Sequence, residues 1–257
     1  MKIAITGKGG VGKTTIAALL SVSFEKAGYK VIAIDADPDS NFASALNFPN
    51  TNKIVPLVEM SELIKERVGA EPGNVGMYFK LNPKVDDIPD KYCIKKDNIK
   101  LIIMGTVKKA KGGCACPENV FLREVINHVL TERDEVVIMD MEAGIEHLER
   151  GTAEGVDAIL IISEPSKLSI DTSKRINRLS KELKIKKVFS IGNKISCIDE
   201  ENYIREQLKE VQHISFIPYS SDLRKVYLND GDLLKSPKEI FDKIKEIREY
   251  FEKELRN

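Results

Sequence analysis

The 257-residue chain has few cysteines, no excess of charge of either sign and no long apolar run. Four cysteines are too few for a disulfide scaffold, which favours reduced thiols and a cytoplasmic protein. Basic and acidic residues number 40 each, and this balance is unlike the basic excess of a general nucleic-acid binder. The longest apolar runs, such as 158–162, fall far short of the roughly 20 residues that a membrane-spanning helix needs. We therefore expect partners other than nucleic acids or membranes.

Short apolar segments alternate with longer segments of helical periodicity along the whole chain. This alternation predicts a doubly wound α/β fold, in which a mostly parallel sheet is flanked by helices on both faces. Isoleucine and valine fill the predicted strands without alternation, as expected when both faces of a sheet are buried. Strands are predicted at Lys2–Thr6, Val31–Asp35, Ile99–Met104, Glu135–Asp140, Ala158–Ser163, Lys187–Gly192 and Ile214–Pro218, and helices at Thr14–Ala27, Asn119–Glu132, Ser169–Leu183, Glu200–Glu210 and Pro237–Leu255.

A single domain spanning residues 1–257 is the simplest organisation, because no repeat or low-complexity linker divides the chain. Two stretches depart from the alternating pattern. Residues 47–98 contain several prolines and are predicted to be an insertion with one helix near Ser61–Val68. Residues 105–118 form a glycine-containing loop with two cysteines between a strand and a helix. Loops at the carboxyl ends of parallel strands are where α/β proteins place their chemistry.

A phosphate-binding loop follows the first predicted strand and opens the first predicted helix. Its glycines let successive backbone N–H groups point at phosphate oxygens, and the helix presents its positive end to the same anion. Lys13 is expected to reach the β- and γ-phosphates, Thr14 to bind Mg²⁺, and Thr15 to contact the α-phosphate. The full pattern is Gly7-Lys8-Gly9-Gly10-Val11-Gly12-Lys13-Thr14.

Lys8 is the less ordinary residue of this loop, because a second lysine cannot easily fold back onto phosphates that Lys13 already occupies. With Lys8, the loop resembles that of the deviant-Walker-A ATPases, which include nitrogenase iron proteins and chromosome-partition and division-site ATPases. The resemblance implies an ATPase that hydrolyses ATP to ADP and phosphate as a homodimer. It also implies that Lys8 reaches across the dimer to the partner's nucleotide, as an arginine finger does. The alternative is a solvated lysine.

Acidic residues follow two of the predicted strands. Asp140 ends an apolar strand, where its carboxylate would hold the Mg²⁺ shell. In the segment after Asp140, Gly144 would let its N–H approach the γ-phosphate, as a switch II glycine does. The segment after the second strand resembles the switch I of the family, and the resemblance assigns the orientation of the attacking water to Asp37. Asp35 and Asp39 stay open as alternatives, and acidic clusters after strands also serve as helix caps.

Two later segments are candidates for binding the base. Asn193 and the residues after it resemble a base-recognition loop. A guanine specifier would need an acid where Ser196 stands, so ATP is favoured over GTP. Pro218 and Tyr219, at the end of the next strand, are expected to close the adenine pocket.

The cysteine pair Cys114 and Cys116 is a candidate metal site. Residues i and i+2 of an extended segment project to the same side, so two thiolates can bind one soft metal ion. Zn²⁺ and Ni²⁺ prefer four ligands, so one chain supplies half of a site and a twofold dimer would supply all of it. A single Cys-x-Cys motif is by itself a weak indication of a metal site, because two cysteines at this spacing can also be incidental. Cys93 and Cys197 lack spaced partners and are expected to be small buried thiols.

The phosphate loop, the cysteine loop and residues 140–151 together resemble the CooC-type accessory ATPases, which help to insert nickel into carbon monoxide dehydrogenase. The resemblance spans nearly the whole chain. It implies that Cys114 and Cys116 of each chain bind Ni²⁺ or Zn²⁺ at a dimer interface that depends on ATP, metal or both. It also implies that carbon monoxide dehydrogenase is the client. His147 could relay the nucleotide state to the cysteine loop or only pack.

Two other functions stay open. A partition or positioning ATPase would use the same cycle on DNA or a membrane, but the balanced charge and the charge-balanced last helix weigh against it. An Fe–S carrier like the nitrogenase iron protein would place a ligand cysteine within residues 140–151, and none is there. A cluster scaffold that uses Cys114 and Cys116 is not excluded by that absence.

Overall fold

The computed structural model describes residues 1–37, 41–72, 78–105, 116–142, 155–229 and 232–255. Its strands are β1 (Lys2–Gly7), β2 (Val31–Ala36), β3 (Ile94–Lys96), β4 (Ile99–Ile103), β5 (Val136–Met141), β6 (Ala158–Ser163), β7 (Val188–Ile195) and β8 (Gln212–Pro218). The α-helices within these ranges are α1 (Lys13–Lys26), α2 (Phe42–Ala45), α3 (Ser61–Val68), α4 (Ile88–Lys91), α5 (Pro117–Glu132), α6 (Lys167–Glu182), α7 (Ile198–Gln207), α8 (Ser221–Asn229) and α9 (Lys238–Leu255).

These strands form one sheet in the order β3-β4-β2-β5-β1-β6-β7-β8. Every neighbouring pair is parallel except β3 and β4. β1 lies between β5 and β6, so the chain winds outward from it in both directions. In open α/β sheets, ligands bind beyond the carboxyl ends of the strands where the winding reverses. The phosphate loop follows β1 at that point, and the predicted doubly wound fold is confirmed.

Two apolar cores cover the two faces of the sheet. One contains side chains of α1, α2 and α9, and the other contains side chains of α3, α5 and α6. The apolar stripe of α9 is buried against α1 and β8, so the last helix packs onto the rest of the fold. Its four fully buried members are Ile240, Ile244, Ile247 and Phe251.

The insertion is more structured than the sequence predicts. It contains α3 as expected, and also α4 and the edge strand β3, which the sequence analysis missed. β3 has only three residues, two of them lysines, and therefore gives no apolar run from which a strand could be recognised. Among the residues covered by the ranges above, no helix combines the length and the apolar character needed to cross a membrane.

Candidate active site

The phosphate loop has the backbone conformation that its glycines predict. Gly12 directly precedes α1 with φ 99°, in the left-handed region that only glycine adopts without strain. A Cβ atom at Gly12 would also lie 2.6 Å from the side-chain nitrogen of Asn193. Gly10 has φ 82° as well. The loop therefore depends on glycine both for its curvature and for close packing.

The two lysines of the loop differ in their surroundings. Lys13 is buried, and its ammonium lies 3.5 Å from the carbonyl oxygen of Lys8, within the curve of the loop. Lys8 is half-buried, and its ammonium makes no hydrogen bond or ion pair with any residue that the structure describes. The two ammonium groups therefore differ in whether the described part of the chain holds them.

Two carboxylates lie side by side at the carboxyl edge of the sheet. Asp35 of β2 and Asp140 of β5 are register partners on adjacent parallel strands, and both are fully buried. Burial raises the pKa of Asp140 to about 7, and the Asp35 carboxylate acts in the same direction. The Thr14 hydroxyl and the Lys13 ammonium act against it. Neither carboxylate oxygen of Asp140 makes a hydrogen bond of normal geometry within the described part of the chain.

These residues fit a divalent cation. The two buried carboxylate oxygens of Asp140 make no hydrogen bond of normal geometry with the described residues, and a bound cation would give them a partner. Mg²⁺ prefers carboxylate and hydroxyl oxygens beside phosphates. Asp140 and Thr14 would hold the ion, which would supply positive charge to the phosphate oxygens of a bound nucleotide. The predicted roles of both residues in Mg²⁺ binding stay predictions.

The structure separates the three aspartates of the predicted switch I. One oxygen of the Asp35 carboxylate accepts a hydrogen bond from the Asp37 backbone N–H (3.3 Å), and the other accepts one from the Phe42 N–H (3.1 Å). Asp35 is therefore engaged in holding the backbone. Asp37 is half-buried beside it, and Asp39 lies outside the described residues. The orientation of water by Asp37 stays a prediction.

The start of the predicted switch II is tied to β1. The hydroxyl of Thr6, in the buried centre of the sheet, donates to the carbonyl oxygen of Glu142 at 3.2 Å. The sequence analysis gave Thr6 no role, although a hydroxyl directly after the apolar residues 3–5 was a visible signal. Gly144 and His147 lie outside the described residues, so the roles predicted for them stay predictions.

The candidate base-binding residues come together at the ends of β7 and β8. Asn193 is buried, and its amide nitrogen donates to the carbonyl oxygen of Val11 in the phosphate loop at 2.7 Å. The Tyr219 backbone N–H donates to the carbonyl oxygen of Ile195 at 2.9 Å, and the Tyr219 ring is half-exposed. Asn193 thus has a contact that the sequence did not predict. Base binding by Asn193, Pro218 and Tyr219 stays a prediction.

The cysteines are distributed differently from the expectation. Cys116 is half-buried and extended, and it directly precedes α5. Cys114 lies outside the described residues, so the metal pair itself is untested. Cys197 is exposed because it starts the first turn of α7 at the surface, and the expectation of a buried thiol was wrong there. Cys93 is half-buried. Within the described ranges, no group of three or more His, Cys, Asp or Glu side chains is arranged to hold a metal ion.

The entrance of the cysteine loop is fixed to the predicted switch I strand and to the insertion. The Met104 N–H donates to the carbonyl oxygen of Asp35 at 2.9 Å, and the Met104 carbonyl oxygen accepts from the Val58 N–H at 3.1 Å. Gly105 follows with φ 75°, packed so closely that an added Cβ would lie 2.7 Å from Pro56. The cysteine loop therefore begins on a backbone that carries switch I on one side and the insertion on the other.

The chain is similar in sequence to known proteins. Residues 2–233 match the family model described as the CobQ/CobB/MinD/ParA nucleotide binding domain. The chain is 48% identical to an uncharacterized ATP-binding protein of Methanocaldococcus jannaschii over 88% of each chain. It is 43% identical to the carbon monoxide dehydrogenase accessory protein CooC of Rhodospirillum rubrum, over 87% of this chain and 86% of that one.

A solved structure supports the fold alone. The MinC:MinD cell division protein complex of Aquifex aeolicus aligns with a TM-score of 0.71 and 22% identity, over 98% of this chain and 96% of that one. The predicted P-loop ATPase class and the predicted resemblance to CooC-type proteins are both confirmed. The chain belongs to the CobQ/CobB/MinD/ParA family of nucleotide-binding domains.

Proposed function

We propose that this chain is an ATP-dependent maturation ATPase that assists the insertion of nickel into carbon monoxide dehydrogenase. Its cargo is Ni²⁺ or Zn²⁺, bound by Cys114 and Cys116 of two subunits in a homodimer. The 43% identity to CooC over most of both chains supports this client. The observation that carries the proposal is the hydrogen bond from Met104 to Asp35, because it joins the cysteine loop to the nucleotide site.

The nucleotide half of the mechanism uses the residues assembled around β1 and β5. The phosphate loop and Lys13 bind the triphosphate, and Asp140 with Thr14 holds Mg²⁺. Asp37 orients the attacking water. Lys8, whose ammonium makes no hydrogen bond or ion pair with the described residues, reaches the nucleotide of the second subunit.

The coupling half follows from the order of the strands. β4 leads into the cysteine loop and pairs with β2, which ends at the aspartates of switch I. A shift of Asp35 and Asp37 between nucleotide states is passed to Met104 through one backbone hydrogen bond. For this coupling, the protein must bind the metal with different affinities in its two nucleotide states. A ligand shifts an equilibrium between two states only when it binds them differently. If metal and ATP both favour the closed dimer, each raises the apparent affinity of the other.

Solution mass measured by light scattering tests the proposal. The wild type and a Cys114→Ser/Cys116→Ser double variant are compared with and without Ni²⁺ or Zn²⁺, and with and without ATP. We expect metal to drive dimerisation of the wild type at about one ion per dimer, and the double variant to lose that response. Cys197→Ser is the matched control, because it removes an exposed thiol elsewhere on the surface.

Two results would redirect the assignment. Dimerisation of both proteins by ATP alone, without metal binding, would make the cysteine pair incidental and favour a positioning ATPase. Brown protein with visible absorbance would indicate an Fe–S scaffold on the same cysteines. Metal affinity that is equal in every nucleotide state would contradict the coupling, even if the site itself exists.

A further inference from the structure

Two consecutive residues of β7 hold the phosphate loop from outside. Asn193 donates from its amide nitrogen to the Val11 carbonyl oxygen at 2.7 Å, and Lys194 donates from its ammonium to the Gly10 carbonyl oxygen at 2.6 Å. The Lys194 ammonium also lies 3.4 Å from the carboxylate of Glu164, which follows β6. These contacts connect β7 to the loop after β1, although β6 lies between the two strands in the sheet.

An irregular backbone lets both residues reach the same loop. In a regular strand, consecutive side chains point to opposite faces of the sheet. Here the pairing of β7 with β8 shifts register between Gly192 and Ile195, as a β-bulge does. Lys194 has φ 61°, in the left-handed region that a residue with a Cβ atom rarely adopts. Such strain persists where surrounding contacts hold it, and it occurs preferentially at functional sites.

These contacts fix the direction of the phosphate-binding N–H groups. Because a peptide unit is planar and trans, its carbonyl oxygen and the next N–H point in opposite directions. Holding the Gly10 carbonyl outward therefore turns the Val11 N–H into the loop, where it donates to the Lys8 carbonyl oxygen with an N···O distance of 3.4 Å. The contact from Asn193 does the same for the Gly12 N–H. Inward N–H groups are the anion ligands of a phosphate loop.

We propose that Lys194, aimed by Glu164, is a positioning residue that presets the phosphate loop for the triphosphate of the nucleotide. Lys194 acts through the Gly10 carbonyl and does not touch the base. This inference deepens the nucleotide site of the proposed function, and it is independent of metal delivery. The competing role is base recognition, because Lys194 lies in the segment that resembles a base-recognition loop.

Binding of Mg²⁺–ATP and Mg²⁺–tripolyphosphate, measured by calorimetry, separates the two roles, because tripolyphosphate has no base. Lys194→Met removes the donor and keeps the side-chain length. We expect both ligands to bind it about tenfold more weakly than they bind the wild type. Lys194→Arg keeps a cationic donor and is expected to restore most of the affinity. Glu164→Gln should weaken both ligands by a smaller factor.

Lys174→Met is the matched control. Lys174 is an exposed lysine of α6 that bonds to Gln207 and lies in neither the phosphate loop nor the β7 segment. Both ligands should bind this variant as they bind the wild type. The Lys194 side chain is 42% exposed, so the melting temperature of Lys194→Met should stay close to that of the wild type.

Weaker binding of ATP with unchanged binding of tripolyphosphate would overturn the proposal, because Lys194 would then act on the base. Unchanged binding of both ligands by Lys194→Met would also overturn it. The test stays separate from the proposed function. Loss of metal-driven dimerisation would refute metal delivery without altering the comparison of these two ligands.

Discussion

Buried carboxylates lie at both ends of the parallel strands, but Glu135 at the amino end is paired with cations of the described chain, whereas Asp140 at the carboxyl end is not. At the amino end, Glu135 accepts hydrogen bonds from Arg133 at 2.6 Å and Lys100 at 3.2 Å, and Asp90 pairs with the same two cations. The Lys2 ammonium also donates hydrogen bonds to the carbonyl oxygens of Arg133 and Glu135. At the carboxyl end, the Asp140 carboxylate is buried without a comparable donor among the described residues.

The pKa values express this difference. Burial alone would raise the pKa of Glu135, but hydrogen bonds from Arg133, the backbone and Lys100 outweigh it and lower the pKa to about 2. Hydrogen bonds from Lys100 and Arg133 likewise lower the pKa of Asp90 to about 2. Burial dominates at Asp140 and raises its pKa to about 7.

The difference shows which end is built for stability and which for a ligand. Charges that are paired within the chain contribute to folding, whereas an unpaired buried charge costs folding energy. Such a cost is retained where a ligand later supplies the missing partner. Four variants, taken from the largest expected effect to the smallest, test this division.

Lys8→Ala is expected to give the largest effect. Lys8 is the cation at the carboxyl end whose partner would come from a second subunit. Its loss should lower kcat for ATP hydrolysis about a thousandfold, as loss of an arginine finger does, while one chain still binds ATP. Steady-state turnover and calorimetric ATP binding measure the two quantities. Normal turnover by Lys8→Ala would return Lys8 to the alternative of a solvated lysine.

Asp140→Asn is expected to separate activity from stability. The amide keeps the shape but removes the charge, so Mg²⁺-dependent hydrolysis should fall about a hundredfold or more. Without Mg²⁺, the melting temperature should rise, because an unpaired buried charge is gone. Asp35→Asn is the control and should lower the melting temperature, since Asp35 accepts two backbone N–H groups. A metal-free Asp140→Asn protein that is less stable than the wild type would contradict the comparison.

Glu135→Gln tests the amino end. Removing this charge from Arg133 and Lys100 should lower the free energy of unfolding by about 1–2 kcal/mol and leave ATP hydrolysis unchanged. Chemical denaturation at pH 7 and steady-state turnover measure these effects. A large loss of turnover would mean that the two ends are coupled.

The same variant has a predictable dependence on pH. The folded pKa of Glu135 is depressed to about 2, whereas a glutamate in the unfolded chain titrates near about 4.3. Its stabilisation is therefore complete above the unfolded value and disappears as the pH falls through the folded value. The stability difference between wild type and Glu135→Gln should shrink from about pH 4 to about pH 2. A difference that stays constant over this window would exclude Glu135 as its source.

Lys65→Gln sets the baseline. Lys65 and Glu71 form an ion pair at 2.7 Å, but both side chains are more than half exposed. Solvent screens such pairs, so neither the melting temperature nor ATP turnover should change measurably. A clear loss of stability here would mean that surface pairs contribute comparably to the network at the amino end.

The sequence predicted the strands of the sheet well because their signal is local. Ile and Val runs such as Ala158–Ser163 mark buried parallel strands without reference to any neighbour. It missed β3, whose three residues form a strand only because they pair with β4. Cys197 was misjudged for a similar reason, since the burial of a single thiol depends on what packs over it.

The sequence by itself determined the glycine-rich phosphate loop, the family and the aspartates at the strand ends, because each depends on residue type and short spacing. Only the tertiary structure decided which of those aspartates are neighbours and which backbone groups they accept hydrogen bonds from. Asp35 and Asp140 are 105 positions apart in the chain and become neighbours through the pairing of β2 with β5. The hydrogen bonds from Lys194 to Gly10 and from Met104 to Asp35 likewise join residues that are distant in the sequence. Long-range contacts of this kind leave no periodic pattern in the sequence, because strand order and backbone irregularity create them.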